Sequence, residues 1–260
     1  MITDTVIEFS KNFPAFDAAL NSGLIVFARI LSFASFAPVF SRKEVPMLVR
    51  IAFSLILTVI MMSLLGNIPV PKNASIELNL LLNMTFGAII GFIATAIFAA
   101  INAGGDMINT QMGLSSAMLF DSSLKAQNAL MGTFLGLFGT VIFINIGGIF
   151  WLIKALLRSF EVFPLYDTVL PLAKIISMEY IVSITSNVLF VGLQIASPIL
   201  LATLGQDIIL GLISKTAPQV NVFTLSFLFK PVLGAAIMIV ILPMLVSVVT
   251  DYFLSYAQIY

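Results

Sequence analysis

From Leu78 to Ile101 the chain reads LNLLLNMTFGAIIGFIATAIFAAI, 24 residues without a single charge. A helix needs about 20 predominantly apolar residues to cross a bilayer core roughly 30 Å thick, so this stretch alone is long enough to span one. It has no alternation of period two, and it is too long for a buried strand. Five more stretches read the same way: residues 18–40, 45–65, 129–157, 180–213 and 222–253. The expected fold is therefore all-α: an integral membrane protein of about six long apolar helices. The last three runs exceed one crossing and are expected to be tilted, broken or continued past the membrane.

The bulk composition agrees. Of 260 residues, 60% are hydrophobic and only 9% are charged, with a mean hydropathy of +1.13. A water-soluble domain carries about 25% charged residues to cover its surface. Cysteine and histidine are both absent, which removes disulfides, thiol nucleophiles, the usual zinc sites and the commonest general base. No cofactor or metal is expected. The formal net charge is zero, so nothing points to nucleic acid. The first residues are polar and acidic (Asp4, Glu8), unlike a cleavable signal.

Breaks between the runs are marked by polar residues, glycine and proline: residues 41–46, 66–71, Gly104-Gly105, 164–179 and 217–219. With no strict repeat and no low-complexity linker, residues 1–260 read as one membrane domain. The positive-inside rule gives no orientation. Lys11, Lys72, Lys154, Arg158 and Lys174 fall on one side, five residues. Arg42, Lys43, Arg50, Lys125, Lys215 and Lys230 fall on the other, six residues. Such a tie points to helices that do not cross in the ordinary way.

Arg29, Arg50, Asp207 and Lys230 lie inside apolar runs, where a charge costs about 2.5–3.5 kcal/mol on insertion scales. They form no obvious relay, so pairing or hydration against a neighbouring helix is the better reading than an ion pathway. Asn83, Asn102, Asn145 and Asn187 offer amides for hydrogen bonds between helices, and Gly87-x-x-x-Gly91 and Gly132-x-x-x-Gly136 read as close-contact faces.

The segment Gly104-Gly105-Asp106-Met107-Ile108-Asn109-Thr110-Gln111-Met112-Gly113-Leu114-Ser115-Ser116-Ala117-Met118-Leu119-Phe120-Asp121 is too polar and glycine-rich for a spanning helix, yet too apolar for a free aqueous loop. Irregular backbone of this kind is tolerated at membrane depth only where it is buried in protein or lines a cavity. Its methionines can make an adaptable seal.

Three markers in this order resemble the FliR/SctT family, the export-gate subunits of bacterial flagellar and virulence type III secretion systems. The first is Ala28-Arg29-Ile30 with Ala37-Pro38-Val39-Phe40-Ser41, Val45-Pro46 and Val49-Arg50-Ile51-Ala52. The second is Gln111-Met112-Gly113-Leu114-Ser115 with Phe120-Asp121. The third is Ala217-Pro218-Gln219-Val220-Asn221-Val222-Phe223, leading to Phe229-Lys230. The resemblance covers roughly residues 20 to 250, and Gln-Met-Gly-Leu is nearer the flagellar branch.

The resemblance implies an all-helical subunit that assembles with FliP and FliQ into a helical export channel for unfolded proteins, with FlhB and FlhA as further partners. Its expected place is the bacterial inner membrane, within the flagellar basal body, and no enzymatic activity is implied. It also implies a channel plug in the loop at about 104–126, carried by Gln111, Met112, Gly113, Leu114, Ser115, Ser116, Met118, Leu119, Phe120 and Asp121. Ser116 and Leu119 stand where flagellar relatives often have phenylalanine, with Met118 and Phe120 nearby to supply bulk; Ser122 replaces the usual proline after the aspartate. Candidate subunit contacts are Arg29, Pro38, Arg50, Asp207, Pro218, Gln219, Asn221, Phe223 and Lys230.

Two competing readings are a small-solute transporter broken near Pro198 or Gly205–Asp207, with Asp207 coupling to an ion, and an intramembrane enzyme using Asp106 and Asp121. A homologous virulence secretion subunit is the nearer alternative.

Overall fold

A computed structural model describes residues 14–66, 71, 75–114, 130–170 and 178–257. Every regular element among them is helical: α1 (Pro14–Phe36), α2 (Met47–Leu65), α3 (Ile76–Gln111), α4 (Leu130–Asn145), α5 (Gly148–Val162), α6 (Met178–Thr216) and α7 (Val222–Ala257). Five helices are long and apolar enough to cross a membrane, six if α4 and α5 form one broken span. This is the all-α membrane protein that the apolar runs predict.

The chain divides into two compact units interleaved in sequence. One comprises Met1–Thr95 and Phe150–Ser177, the other Ala96–Ile149 and Met178–Tyr260. In the first unit, α1 packs against α2. α1 stops at Phe36, four residues before its apolar run ends, because Pro38 has no N–H and disfavours helix at Ala37. The chain turns there through Val39 at φ 74°, an uncommon conformation for a β-branched residue.

In the second unit, α6 and α7 form a long antiparallel hairpin, and α7 also packs on α4. The hairpin turn is Ala217–Asn221. Pro218 and Gln219 sit exposed at its tip, and the Asn221 side chain caps α7 by accepting a hydrogen bond from the Thr224 N–H at 3.3 Å. The core of this unit is aromatic. Phe98, Phe143 and Phe253 lie with ring centroids 5.0–5.1 Å apart, and the Tyr252 hydroxyl donates to the Ile97 carbonyl at 3.0 Å.

One expected boundary differs. Gly104-Gly105 does not end the third helix; α3 runs on to Gln111. A Cβ on Gly105 would lie 2.5 Å from the Gly132 Cα, and one on Gly104 would lie 3.0 Å from the Gly192 carbonyl oxygen. The glycines serve close approach of α4 and α6 to α3, and the packing outweighs their poor helix propensity. The fourth run, one of the three too long for a single crossing, does break, at Ile146-Gly147, where Gly147 adopts φ 81°.

Candidate functional site

The polar markers converge on three places. The first surrounds Arg29, which is fully buried in its own unit. Its Nε donates to Asn83 Oδ1 at 2.9 Å, and its Nη2 donates to the same oxygen. Nη2 also reaches the Phe163 carbonyl at 2.7 Å, and Nη1 the Ser159 carbonyl at 3.0 Å. Asn83 in turn donates to the Leu165 carbonyl at 3.0 Å.

The guanidinium lies 4.3 Å from the ring centre of Phe160, with Phe86 and Phe163 at 5.1 and 5.3 Å. No carboxylate appears among these partners. The cation sits instead on carbonyls at the end of α5, where the helix macrodipole is negative and terminal C=O groups need donors. Gly87 packs on the Arg29 carbonyl and Gly91 on that of Phe33, so the first predicted glycine pair is a contact face.

The Arg29 side chain is engaged inside its own unit. Pro38 is likewise buried. Arg50 is partly so; its Nη2 donates to the carbonyls of Arg42 and Val45 at 2.8 and 3.2 Å, holding the turn before α2.

The second place is the end of α3. Gln111 is its last residue. The Met112 N–H donates to the Ile108 carbonyl at 2.9 Å, and Gly113 at φ 73° donates to the Thr110 carbonyl at 3.1 Å. A left-handed residue just past the end is a common helix stop, and glycine takes it at no steric cost. Met112 is only 2% exposed. Its side chain fills a notch in α7 left by Gly234, where a Cβ would stand 2.6 Å from Met112 Cγ and 2.8 Å from its Sδ.

The Gln-Met-Gly sequence thus has three local tasks: to finish the helix, to anchor it and to turn the chain away. Asn109 adds a fixing point by accepting from the Met131 N–H at 3.4 Å. Leu114 is the last described residue here. The remaining predicted plug residues, Ser115, Ser116, Met118, Leu119, Phe120 and Asp121, lie outside the described residues.

The third place is the hairpin. Lys230 bridges to Asp207 across it at 2.8 and 2.9 Å to the two carboxylate oxygens. Phe223 is 66% exposed near the tip. α6 stays helical through Pro198 and through Gly205–Asp207, so the broken helix required by the transporter reading is not present, and Asp207 already has a counter-ion. Asp106, the first carboxylate of the enzyme reading, is exposed on α3, whereas Asp121 lies outside the described residues.

Sequence reasoning missed the Met112–Gly234 anchor and the pairing of Arg29 with Asn83. Each residue bears a local signal, a glycine or a polar group in an apolar run, but the partners are 122 and 54 positions apart.

Among the described residues, five helices long and apolar enough to cross a membrane define an all-α membrane protein. Residues 20–256 match the model of the family described as bacterial export proteins, family 1, and the chain belongs to that family. It is similar to the flagellar biosynthetic protein FliR of Bacillus subtilis (strain 168), 28% identical over 246 residues, which cover 93% of this chain and 91% of the relative. The protein of the same name from Escherichia coli (strain K12) is 26% identical over 218 residues, covering 84% and 82%. That of Aquifex aeolicus (strain VF5) is 25% identical over 239 residues, covering 91% of each.

Proposed function

We propose that this chain is a non-enzymatic subunit of the flagellar type III protein export gate, placed in the bacterial inner membrane within the basal body. It assembles with FliP and FliQ into the channel, with FlhB and FlhA beside it, and unfolded flagellar proteins pass through. The segment 112–120 serves as the plug. Family membership and the shared name of its relatives support the export role.

The observation that carries the plug reading is the way α3 ends. Gly113 turns the chain out of the helix while Met112 is locked against Gly234, so the following residues start from a fixed base. A plug must yield to a passing polypeptide and return to one position, which requires a firm root. Energy for transport comes from elsewhere, since the sequence carries no phosphate-binding loop.

Deleting residues 114–120, with Met112 and Gly113 retained, tests the reading in cells. The expected result is raised ion leakage with the gate complex still assembled. Unchanged permeability in an assembled complex contradicts the plug.

A further inference from the structure

α5 differs from the other helices in what it shows outward. Its inner side, with Leu152, Leu156 and Phe160, is buried. Its rotation is fixed there, because Arg29 holds the carbonyls of Ser159 and Phe163. Phe150, Lys154, Leu157, Arg158 and Glu161 are left exposed. Steps of three and four gather these five on one side of the helix. Two cations one turn apart thus share a face with Leu157 and with Phe150, which is 81% exposed. Trp151, the one tryptophan of the chain, lies half-buried at the edge of that face.

Neither lipid tails nor bulk water suits such a surface. α2 and α4 expose apolar side chains and no charged one, as hydrocarbon or another apolar helix requires. Three charges turned to hydrocarbon are strongly disfavoured, whereas an exposed phenylalanine and leucine gain nothing in water. α5 is also too short to cross alone, since its 15 residues rise about 22 Å against a core of roughly 30 Å. Helix chemistry leaves Lys154 unexplained. It stands two turns before the helix end, whose carbonyls Arg29 already serves, and it has no partner among the described residues.

The boundary between lipid and water meets both demands. Aromatic and aliphatic groups reach the acyl region there, while long cationic side chains extend to the phosphates. We propose that the outward face of α5 is an anionic-lipid site. Lys154 and Arg158 hold the phosphate of a phosphatidylglycerol-type headgroup, and Phe150 and Leu157 sit among the upper acyl carbons. A guanidinium presents a paired fork to phosphate oxygens, and an ammonium adds a compact charge. Glu161 offsets one of the two cations, so selection comes from local contact more than from net charge. The proposal rests on the membrane character of the chain and not on the export-gate reading.

The lone tryptophan supplies the readout. The purified full chain is reconstituted in phosphatidylcholine nanodiscs containing rising fractions of lipid brominated near the headgroup, either phosphatidylglycerol or phosphatidylcholine. The brominated phosphatidylglycerol should quench Trp151 at an about fivefold lower fraction, the order of attraction of one basic side chain to an anionic surface. Lys154→Gln or Arg158→Gln should remove most of that preference, and Glu161→Gln should increase it. Lys215→Gln, at an exposed position of α6, should leave it unchanged.

Equal quenching by the two lipids in the unaltered chain overturns the proposal, whatever the variants do. Quenching by neither takes α5 away from the headgroups and overturns it as well. In cells, a benzophenone side chain at position 150 should cross-link to lipid; an adduct with protein makes the face a contact with another chain and contradicts the site. Failure of the chain to join a gate complex removes the export-gate reading and leaves the lipid preference standing, so the two are judged separately.

Discussion

Glycine can hold a helix crossing together or merely weaken the helix that carries it, and this chain offers both cases within one unit. Gly105 lies in α3 against α4, where an added Cβ would stand 2.5 Å from Gly132 Cα, 2.7 Å from the Met131 carbonyl oxygen and 2.8 Å from Gly132 N. All three are backbone atoms, so no rotamer change relieves the contact. Ordinary carbon contacts lie at about 3.5–4.0 Å, so the two helices must separate by on the order of 1 Å. Overpacking of that size costs about 1–3 kcal/mol. Gly205 lies in α6 with nothing within 4 Å of its virtual Cβ, and alanine there gains about 0.8–1 kcal/mol of helix propensity.

Gly105→Ala and Gly205→Ala should therefore move stability in opposite directions, separated by about 2–4 kcal/mol. Size-exclusion chromatography of the detergent-solubilised protein after a temperature series reads the difference as the midpoint for loss of the monodisperse peak. Equal midpoints, or a lower one for Gly205→Ala, would refute the claim that the α3–α4 crossing depends on Gly105.

Three further outcomes follow from contacts already described. Arg29→Leu strands the Asn83 and Phe163 acceptors at about 1–3 kcal/mol each. It should lower the same midpoint markedly, with Arg29→Lys falling between, since an ammonium cannot match the planar fork. Gly234→Ala overlaps the Met112 side chain, and Met112→Ala empties a buried site. The double variant should lose less than the two single losses summed, read as a coupling in the same melts. Lys230→Met or Asp207→Asn breaks the hairpin ion pair and leaves one charge unpartnered. Each should reduce recovery of folded protein from membranes more than the two together.

Much of the architecture was legible because a bilayer simplifies the code: length and apolarity alone mark a helix that can cross. Six runs were readable for that reason, and Pro38 and the 217–221 turn behave as their chemistry requires. Gly104 and Gly105 misled because glycine breaks a helix in water but joins helices where backbones touch, and one chain does not say which. The length of the fourth run allowed for a break, but its position at Ile146-Gly147 was not legible, because an apolar break leaves no polar trace.

The charges were harder still. Arg29 and Lys230 look alike in sequence, each a lone cation in an apolar run. One is enclosed by carbonyls and aromatic rings, the other is paired across a turn. The difference depends on which helix lies opposite, which periodicity cannot supply. Gln111-Met112-Gly113 was conspicuous as a motif, whereas its anchor depended on Gly234, far along the chain.

The export-gate account is tested most directly by a mild-detergent pull-down of the tagged chain, with mass spectrometry of what accompanies it. The account predicts FliP- and FliQ-like chains recovered in a stable complex. A lone chain or a simple homodimer, under conditions that preserve known gate complexes, would contradict it.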